Sequence, residues 1–310
     1  MSPSALLQVD ITGITFSNPF FLASGIFATT LPMIHRVIRA GAGGIVTKST
    51  GSEPRKGYVN PTVIALDNYS ILNAVGLSNM GAPALRDQLQ GQKFSVPVFA
   101  SIFGSSTDEI ASIIRILDPT CISGFEVNLS CPHGGIYGAA LGSDPGMVYS
   151  VVSSIADETS KPLWVKLTPN VTDIVQIAKA AEDAGASAIV AINTVKAMSI
   201  DIRTRQPLLS NKVGGLSGAS IHPIAVRCVY DIFRAVTIPI IAVGGVMTWK
   251  DAVEFMLVGA QAVQIGSALN WTEPEIIFPE FCDGLQTFLS EEGFKDVKDL
   301  CGLVHEEASS

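Results

Sequence analysis

The stretch that decides the fold is PLWVKLTPNVTDIVQIAKAAEDAGASAIVAI, residues 162–192. It opens with the apolar run PLWVKL and closes with a second run, AIVAI, and each has the length of a strand. Between them, DIVQIAKAAEDAGA carries apolar residues at helical spacing, with an acidic residue in its first turn and a glycine near its close. Strands that are apolar on both faces and separated by a helix are typical of a parallel sheet. The stretch therefore predicts one strand–helix–strand unit.

The same alternation of strands and helices runs along the whole chain. We predict eight strands, at residues 20–23, 44–47, 97–102, 125–129, 162–167, 188–192, 239–243 and 262–266. Eight such units predict an α/β fold, a closed (β/α)8 TIM barrel, and 310 residues suit one barrel. A doubly wound open sheet is less favoured, because no G-x-G-x-x-G follows the first strand. We expect a single barrel domain over residues 1–310.

Three segments are additional to the predicted barrel. Residues 50–78 follow the second strand and residues 195–219 follow the sixth. Both insertions therefore belong to the C-terminal face, where barrel enzymes build their active sites. An N-terminal hairpin, with Thr12 and Gly13 at its turn, precedes the first strand. We expect this hairpin to close the opposite end of the barrel.

Composition excludes several classes of protein. Hydrophobic residues make up 47% of the chain, yet no apolar run reaches the roughly 18 residues of a membrane span. The first residues lack the features of a signal peptide, so we expect a cytoplasmic protein. The net charge of −8 disfavours nucleic acid as a partner. The five cysteines show no C-x-x-C spacing, so we expect free thiols and no metal site; they are Cys121, Cys131, Cys228, Cys282 and Cys301.

Polar residues and glycines stand at or just past the predicted strand ends. The two lysines among them either extend their charges out to solvent or, with the asparagines, bind an anion. The glycines after strands seven and eight either form tight turns or offer backbone N–H groups to a phosphate. A phosphorylated cofactor across the barrel mouth, FMN above all, fits the whole set. Its members are Ser24, Gly25, Lys48, Ser49, Ser101, Asn128, Lys166, Asn193, Thr194, Gly244, Gly245, Gly266 and Ser267.

A series of motifs then links the chain to a known family. In chain order they are NPFFLASG, TKS, NAVGLSN, NLSCP, VKLTPN, INTVKAMSIDI, GGLSG, AVGGV and QIGSA. In order and spacing they resemble the catalytic chain of dihydroorotate dehydrogenase over about residues 7–270, and class 1B in particular. The resemblance implies an FMN flavoprotein that oxidises dihydroorotate to orotate in pyrimidine biosynthesis.

The resemblance also implies partners. A class 1B enzyme has a homodimer of catalytic chains at the core of a heterotetramer. Its electron-transfer subunit carries FAD and a 2Fe-2S cluster and passes electrons to NAD. Direct use of fumarate, as in class 1A, stays an alternative because this sequence does not indicate which electron acceptor is used.

The resemblance assigns roles to individual residues. Cys131 matches the catalytic base, while the flavin N5 accepts the hydride. If Lys166 lies by the N1 and O2 edge of the flavin, its charge would stabilise the anionic reduced ring. By spacing alone, a cysteine after a strand is more often a small buried hydrophobic residue. Positions that match FMN contacts are Ser24, Lys48, Ser49, Asn128, Lys166, Ile192, Gly218, Gly244, Gly245, Gly266 and Ser267. Positions that match substrate contacts are Lys48, Asn73, Ala74, Val75, Gly76, Leu77, Asn128, Asn193 and Thr194.

Some positions depart from the family pattern. His133 stands where the family usually has asparagine, and Ser101 stands where it often has asparagine. His133 is either a replacement hydrogen-bond donor or an ordinary loop residue. NLSCPHG, ASI and KLTPNVTDI also occur in the FMN domain of dihydropyrimidine dehydrogenase, which is the alternative function. The NAVGLSN loop favours dihydroorotate, whose carboxylate uracil lacks. The other histidines, His35, His222 and His305, show no ligand spacing, and we expect surface or capping roles for them.

Overall fold

Parallel strands close into an eight-stranded barrel within residues 5–129 and 141–305, which are the residues that this computed structural model describes. The eight predicted strands are confirmed to within one residue at each end. In chain order, the strands of the described residues are β1 (Val9–Ile11), β2 (Ile14–Phe16), β3 (Phe20–Leu22), β4 (Gly44–Val46), β5 (Val63–Leu66), β6 (Ser70–Asn73), β7 (Val98–Ile102), β8 (Gly124–Asn128), β9 (Leu163–Leu167), β10 (Ala188–Ala191), β11 (Val195–Ala197), β12 (Ile200–Asp201), β13 (Gln206–Pro207), β14 (Gly214–Gly218), β15 (Ile240–Val243) and β16 (Ala262–Ile265).

The barrel follows the order β3-β4-β7-β8-β9-β10-β15-β16, and β16 pairs with β3 to close it. Its strands are buried on both faces, which is why they read as continuous apolar runs. Helices surround it: α1 (Leu31–Arg39), α2 (Ala82–Leu89), α3 (Thr107–Leu117), α4 (Pro145–Ala156), α5 (Ile174–Asp183), α6 (His222–Phe233), α7 (Trp249–Leu257) and α8 (Pro274–Glu292).

Helix α5 shows how the sequence builds these elements. The Asp173 carboxylate accepts hydrogen bonds from the Val175 and Gln176 N–H groups, which caps the first turn. Gly185, two residues past the last helical residue, has a φ of 98°, a conformation that favours glycine and ends the helix. The buried residues of α5 recur at helical spacing and are Ile174, Ile177, Ala178 and Ala181.

Aromatic side chains fill the N-terminal end of the barrel. The Phe99 and Trp164 rings stack with their centroids 3.6 Å apart, and Phe16 of the β1–β2 hairpin lies 6.1 Å from Trp164. The Trp164 indole N–H also donates to the Thr12 hydroxyl at the hairpin turn. The predicted hairpin is therefore present, and it packs against the end of the barrel opposite the strand C-termini.

The two long segments that follow β4 and β10 contact each other. Strands β5 and β6 from the first segment join β11 and β14 from the second in a sheet of order β11-β14-β6-β5. Strands β12 and β13 form a short antiparallel pair. No helix in the described part of the chain is both long enough and apolar enough to cross a membrane.

Candidate active site

The described members of the predicted site all lie at the C-terminal ends of barrel strands or on the segments that follow them. Because the barrel strands are parallel, these ends meet on one face. Three predicted residues follow the first two barrel strands: Ser24 follows β3, and Lys48 and Ser49 follow β4. Asn128 ends β8, Lys166 is the penultimate residue of β9, and residues 192–194 follow β10. Gly244 and Gly245 follow β15, Gly266 and Ser267 follow β16, Gly218 ends β14, and residues 73–77 extend from the end of β6.

Hydroxyl groups connect three neighbouring strand ends. The Ser24 and Ser49 oxygens are 3.3 Å apart, and the Ser49 and Ser101 oxygens are 2.8 Å apart. The Ser101 N–H donates to the Thr47 hydroxyl at 3.1 Å. Ser101, which replaces the asparagine often found in the family, is fully buried and completes this chain of hydroxyls.

Amide groups connect the ends of β8 and β10. The Asn193 side-chain amide donates to Asn128 Oδ1 at 3.2 Å, and the Thr194 N–H donates to Asn193 Oδ1 at 2.8 Å. Asn170 holds the next turn, because its Nδ2 donates to the Thr194 carbonyl and its Oδ1 accepts from the Lys196 N–H. Asn170 lies in the VKLTPN motif, but the sequence pattern alone predicted no role for it.

The added sheet carries the Asn73–Leu77 loop to Thr194. Asn73 pairs with Gly215 of β14, and a Cβ on Gly215 would lie only 2.1 Å from Thr194 Oγ1. The Val75 carbonyl accepts from the Tyr58 N–H at 3.1 Å, which anchors the loop within its own segment. Two predicted substrate positions that are distant in the chain, Asn73 and Thr194, therefore both lie against Gly215.

The two lysines have different surroundings. Lys48 is half-buried, and desolvation lowers the pKa of its ammonium below the usual range. Within the described residues, Lys48 forms no ion pair with a carboxylate. Lys166 is buried, and its Nζ lies 3.4 Å from Glu126 Oε1 and 3.3 Å from Gln264 Oε1. Neither Glu126 nor Gln264 was singled out from the sequence, although each is a polar residue inside an apolar strand.

Four backbone N–H groups lie at the ends of β15 and β16. Within residues 5–129 and 141–305, no acceptor takes the N–H groups of Gly244, Gly245, Gly266 or Ser267. Gly244 and Gly245 are buried, and a buried donor requires a partner. Gly245 has a φ of 72°, and a Cβ on it would lie 2.7 Å from the Gly218 carbonyl oxygen. Backbone N–H groups in this arrangement suit an acceptor with several oxygens, such as a phosphate.

His222 is a buried residue that contacts the loop of these glycines, so the surface role predicted as one alternative is wrong. The other alternative, a capping role, is confirmed, because the His222 N–H donates to the Ala219 carbonyl at the end of the 3-10 helix Ala219–Ile221. The side chain is buried, with Nδ1 3.1 Å from the Gly244 carbonyl oxygen and Nε2 3.0 Å from Glu254 Oε2. Its burial depends on the approach of α7, which a local pattern cannot reveal. His35 and His305 are half-buried, and their rings lie against Phe94 and Tyr230.

Four of the five cysteines lie among the described residues. Cys131 and His133 lie outside the described residues. Burial raises the pKa of the other four thiols, Cys121, Cys228, Cys282 and Cys301, and that of Cys282 reaches about 12. These four therefore remain protonated at neutral pH and are poor candidates for a base.

Comparisons with known proteins agree with this geometry. The family model described as dihydroorotate dehydrogenase matches residues 6–289. A Pyrococcus horikoshii protein named dihydroorotate dehydrogenase B (NAD(+)), catalytic subunit, is 48% identical over 299 residues, 96% of this chain and 98% of that protein. Proteins of the same name from Thermococcus kodakarensis and Methanosarcina mazei are 47% and 48% identical, over 97% of this chain and 99% and 96% of their own lengths. The chain therefore belongs to the dihydroorotate dehydrogenase family.

Proposed function

We propose that this chain is the FMN-dependent catalytic component that oxidises (S)-dihydroorotate to orotate in pyrimidine biosynthesis, with residues 1–310 as a single barrel domain. The observation that carries the proposal is the set of N–H groups of Gly244, Gly245, Gly266 and Ser267, which have no acceptor among the described residues and lie on the same barrel face as Lys48 and Lys166. Relatives named for this activity, and similar over nearly their whole length, support it.

The residues present fit FMN. The four backbone donors suit its phosphate, and the half-buried Ser24 hydroxyl, which the buried Ser49 and Ser101 hydroxyls support, provides a further donor and acceptor. Lys166, Asn128, Ile192 and Gly218 complete the set that would hold the cofactor. When bound, FMN supplies the hydride acceptor at its N5.

The substrate side of the site follows from charge and hydrogen-bonding capacity. Dihydroorotate carries a carboxylate and a ring of amide donors and acceptors. The Lys48 ammonium, which has no carboxylate partner among the described residues, suits the substrate carboxylate. The amides of Asn73, Asn128 and Asn193, with Thr194 and the backbone of Ala74, Val75, Gly76 and Leu77, suit the ring.

Cys131 is the base that removes the proton from the substrate carbon. The raised pKa values of the four described thiols make each of them a weaker candidate. A serine hydroxyl is a far weaker acid than a thiol, so Cys131→Ser should retain FMN and slow its reduction by dihydroorotate about 10² to 10⁴-fold. Stopped-flow absorbance under anaerobic conditions measures this rate, and an unchanged rate would exclude Cys131 as the base.

The test of the activity itself is a visible spectrum of the purified chain before and after anaerobic addition of dihydroorotate. We expect a flavin spectrum that bleaches. A preparation that gains no flavin spectrum after reconstitution with FMN would refute the proposal. Dihydrouracil is the comparison substrate, because it lacks the carboxylate that Lys48 would bind. Equal or faster bleaching by dihydrouracil would favour the dihydropyrimidine dehydrogenase alternative.

We also propose a cytoplasmic assembly in which a homodimer of this chain binds an electron-transfer subunit carrying FAD and a 2Fe-2S cluster, which reduces NAD. The relatives are named as catalytic subunits, which supports a partner. Large apolar side chains are exposed on the two insertions and suit a protein interface; they include Val59, Val63, Met198, Ile200, Ile202 and Val213. Copurification from the native cell with an NAD-reduction assay tests the assembly. Rapid turnover of the isolated chain with fumarate, without a copurifying partner, would overturn it.

A further inference from the structure

Three polar side chains form a network inside the barrel, just below the candidate active site. Glu126 of β8 and Gln264 of β16 are fully buried, and Lys166 of β9 is 5% exposed. Gln264 Nε2 donates to Glu126 Oε2 at 2.6 Å. Strands β8 and β16 are not neighbours, since β9, β10 and β15 lie between them on one side and β3, β4 and β7 on the other. The contact therefore crosses the barrel interior.

The hydrogen bonds of the network fix the orientation of all three groups. Lys166 Nζ donates to Glu126 Oε1 and to Gln264 Oε1, so the Gln264 amide accepts from the lysine and donates to the carboxylate. An ammonium has three N–H groups. Within the described residues two of the three are used in this network, which leaves one for a ligand at the barrel mouth.

Stability does not account for this arrangement. Replacing a buried ion pair by well-packed apolar residues is often neutral or stabilising, whereas removing one partner is costly. The barrel fills its other end with Phe99 and Trp164, so apolar packing of the interior is available to this fold. The location offers another reason: Lys166 is itself a predicted FMN position, and Lys166 and Gln264 are the penultimate residues of β9 and β16 at the C-terminal face.

We propose that Glu126 and Gln264 are positioning residues that hold the Lys166 ammonium in a fixed place at the floor of the flavin site. The proposal rests on the proposed function, because the positive charge matters there through the anionic form of the reduced flavin. The Glu126 carboxylate neutralises the buried charge of Lys166. Gln264, on the opposite side of the barrel from Glu126, forms hydrogen bonds with both residues.

The first experiment uses the chain without flavin, so that it does not depend on FMN. Glu126→Gln keeps the volume of the side chain and removes its charge, which leaves the buried ammonium without a counter-charge. We expect its thermal midpoint to fall by roughly 5 °C or more, and the double variant Glu126→Gln/Lys166→Met to recover most of that loss. If Glu126→Gln unfolds at the parent's temperature, or if the double variant is no more stable than Glu126→Gln, the proposal is wrong.

The second experiment measures the midpoint potential of the bound flavin. Glu126→Gln removes the carboxylate that holds the Lys166 ammonium in place, and an ammonium displaced from the flavin stabilises the negative charge of the reduced ring less. Glu126→Gln should therefore lower the potential in the same direction as Lys166→Met, by about 30 mV for each tenfold loss in stabilisation of the two-electron reduced form. In the Lys166→Met background, Glu126→Gln should add little, because its effect passes through the lysine. A rise in potential, or an equal shift in both backgrounds, would show that Glu126 acts on the flavin directly and would overturn the proposal.

A matched control separates these effects from a general loss of a carboxylate. Glu182 of α5 accepts hydrogen bonds from Thr237 and Ile238, at the start of the segment that enters β15 and away from the barrel mouth. Glu182→Gln should leave the midpoint potential unchanged. If the parent chain binds no FMN, that result refutes the proposed function only. The unfolding experiment still tests the network of Glu126, Lys166 and Gln264, because it uses the chain without flavin.

Discussion

Gly245→Ala is the sharpest test of the phosphate site. A left-handed backbone costs an alanine about 1–2 kcal/mol, and Gly245 has a φ of 72°. The new Cβ would also lie 2.7 Å from the Gly218 carbonyl oxygen, 2.7 Å from His222 Cβ and 2.8 Å from His222 N. These atoms belong to the backbone or to a Cβ, so no side-chain rotation relieves the contacts. The loop must move, and its N–H groups move with it.

The expected loss of affinity follows from one displaced donor. A hydrogen bond to a charged group contributes about 1.5–3 kcal/mol, and each 1.4 kcal/mol is a factor of about ten in the dissociation constant. FMN should therefore bind roughly 10- to 100-fold more weakly to Gly245→Ala, as measured by flavin fluorescence during titration of the flavin-free chain.

Gly91→Ala is the matched control for this experiment. Gly91 has a φ of 73°, nearly that of Gly245, but a Cβ on it would meet no heavy atom within 4 Å. It follows α2 on the surface, so its substitution has the same backbone cost without the clash. Gly91→Ala should lower stability and leave the FMN dissociation constant unchanged. Equal FMN affinities for the two alanine variants would refute the assignment of the phosphate to the Gly245 loop.

Three further predictions follow from the geometry. Asn170→Ala removes the amide that holds Thr194, so the KM for dihydroorotate should rise several-fold while FMN affinity is kept; an unchanged KM would show that the contact has no role in substrate binding. Burial lowers the pKa of Lys48 below 10.5, so the charged ammonium destabilises the folded chain. As the pH rises towards 10.5 the folded chain loses this proton before the unfolded chain does, and the destabilisation fades. Lys48→Met should accordingly be more stable than the parent at neutral pH, by a margin that shrinks towards pH 10.5, and denaturant unfolding at several pH values checks this. Iodoacetamide at pH 8 should alkylate the exposed Cys121 before the half-buried Cys282, whose pKa is about 12, and peptide mass spectrometry gives the order.

The sequence by itself determined the barrel and the face on which the site lies. Each barrel strand is buried on both faces, so it reads as a short apolar run, and each run is separated from the next by an amphipathic helix. Both signals are local. Parallel strands end on one side, so the polar residues that follow them, such as Lys48, Asn128 and Gly245, could be assigned to one site without knowledge of any distance.

Only the tertiary structure decided how polar groups meet across the barrel. In FEVNL and AVQIG, Glu126 and Gln264 are polar residues inside largely apolar runs, and nothing in either run identifies a partner 138 residues away on a strand that is not a neighbour. The burial of His222 likewise depends on α7, and the placement of Asn73 and Thr194 against the same residue, Gly215, depends on the sheet that joins the two insertions. Local patterns record which residues a strand or helix buries, but the closure of the barrel sets which buried groups lie within hydrogen-bonding distance.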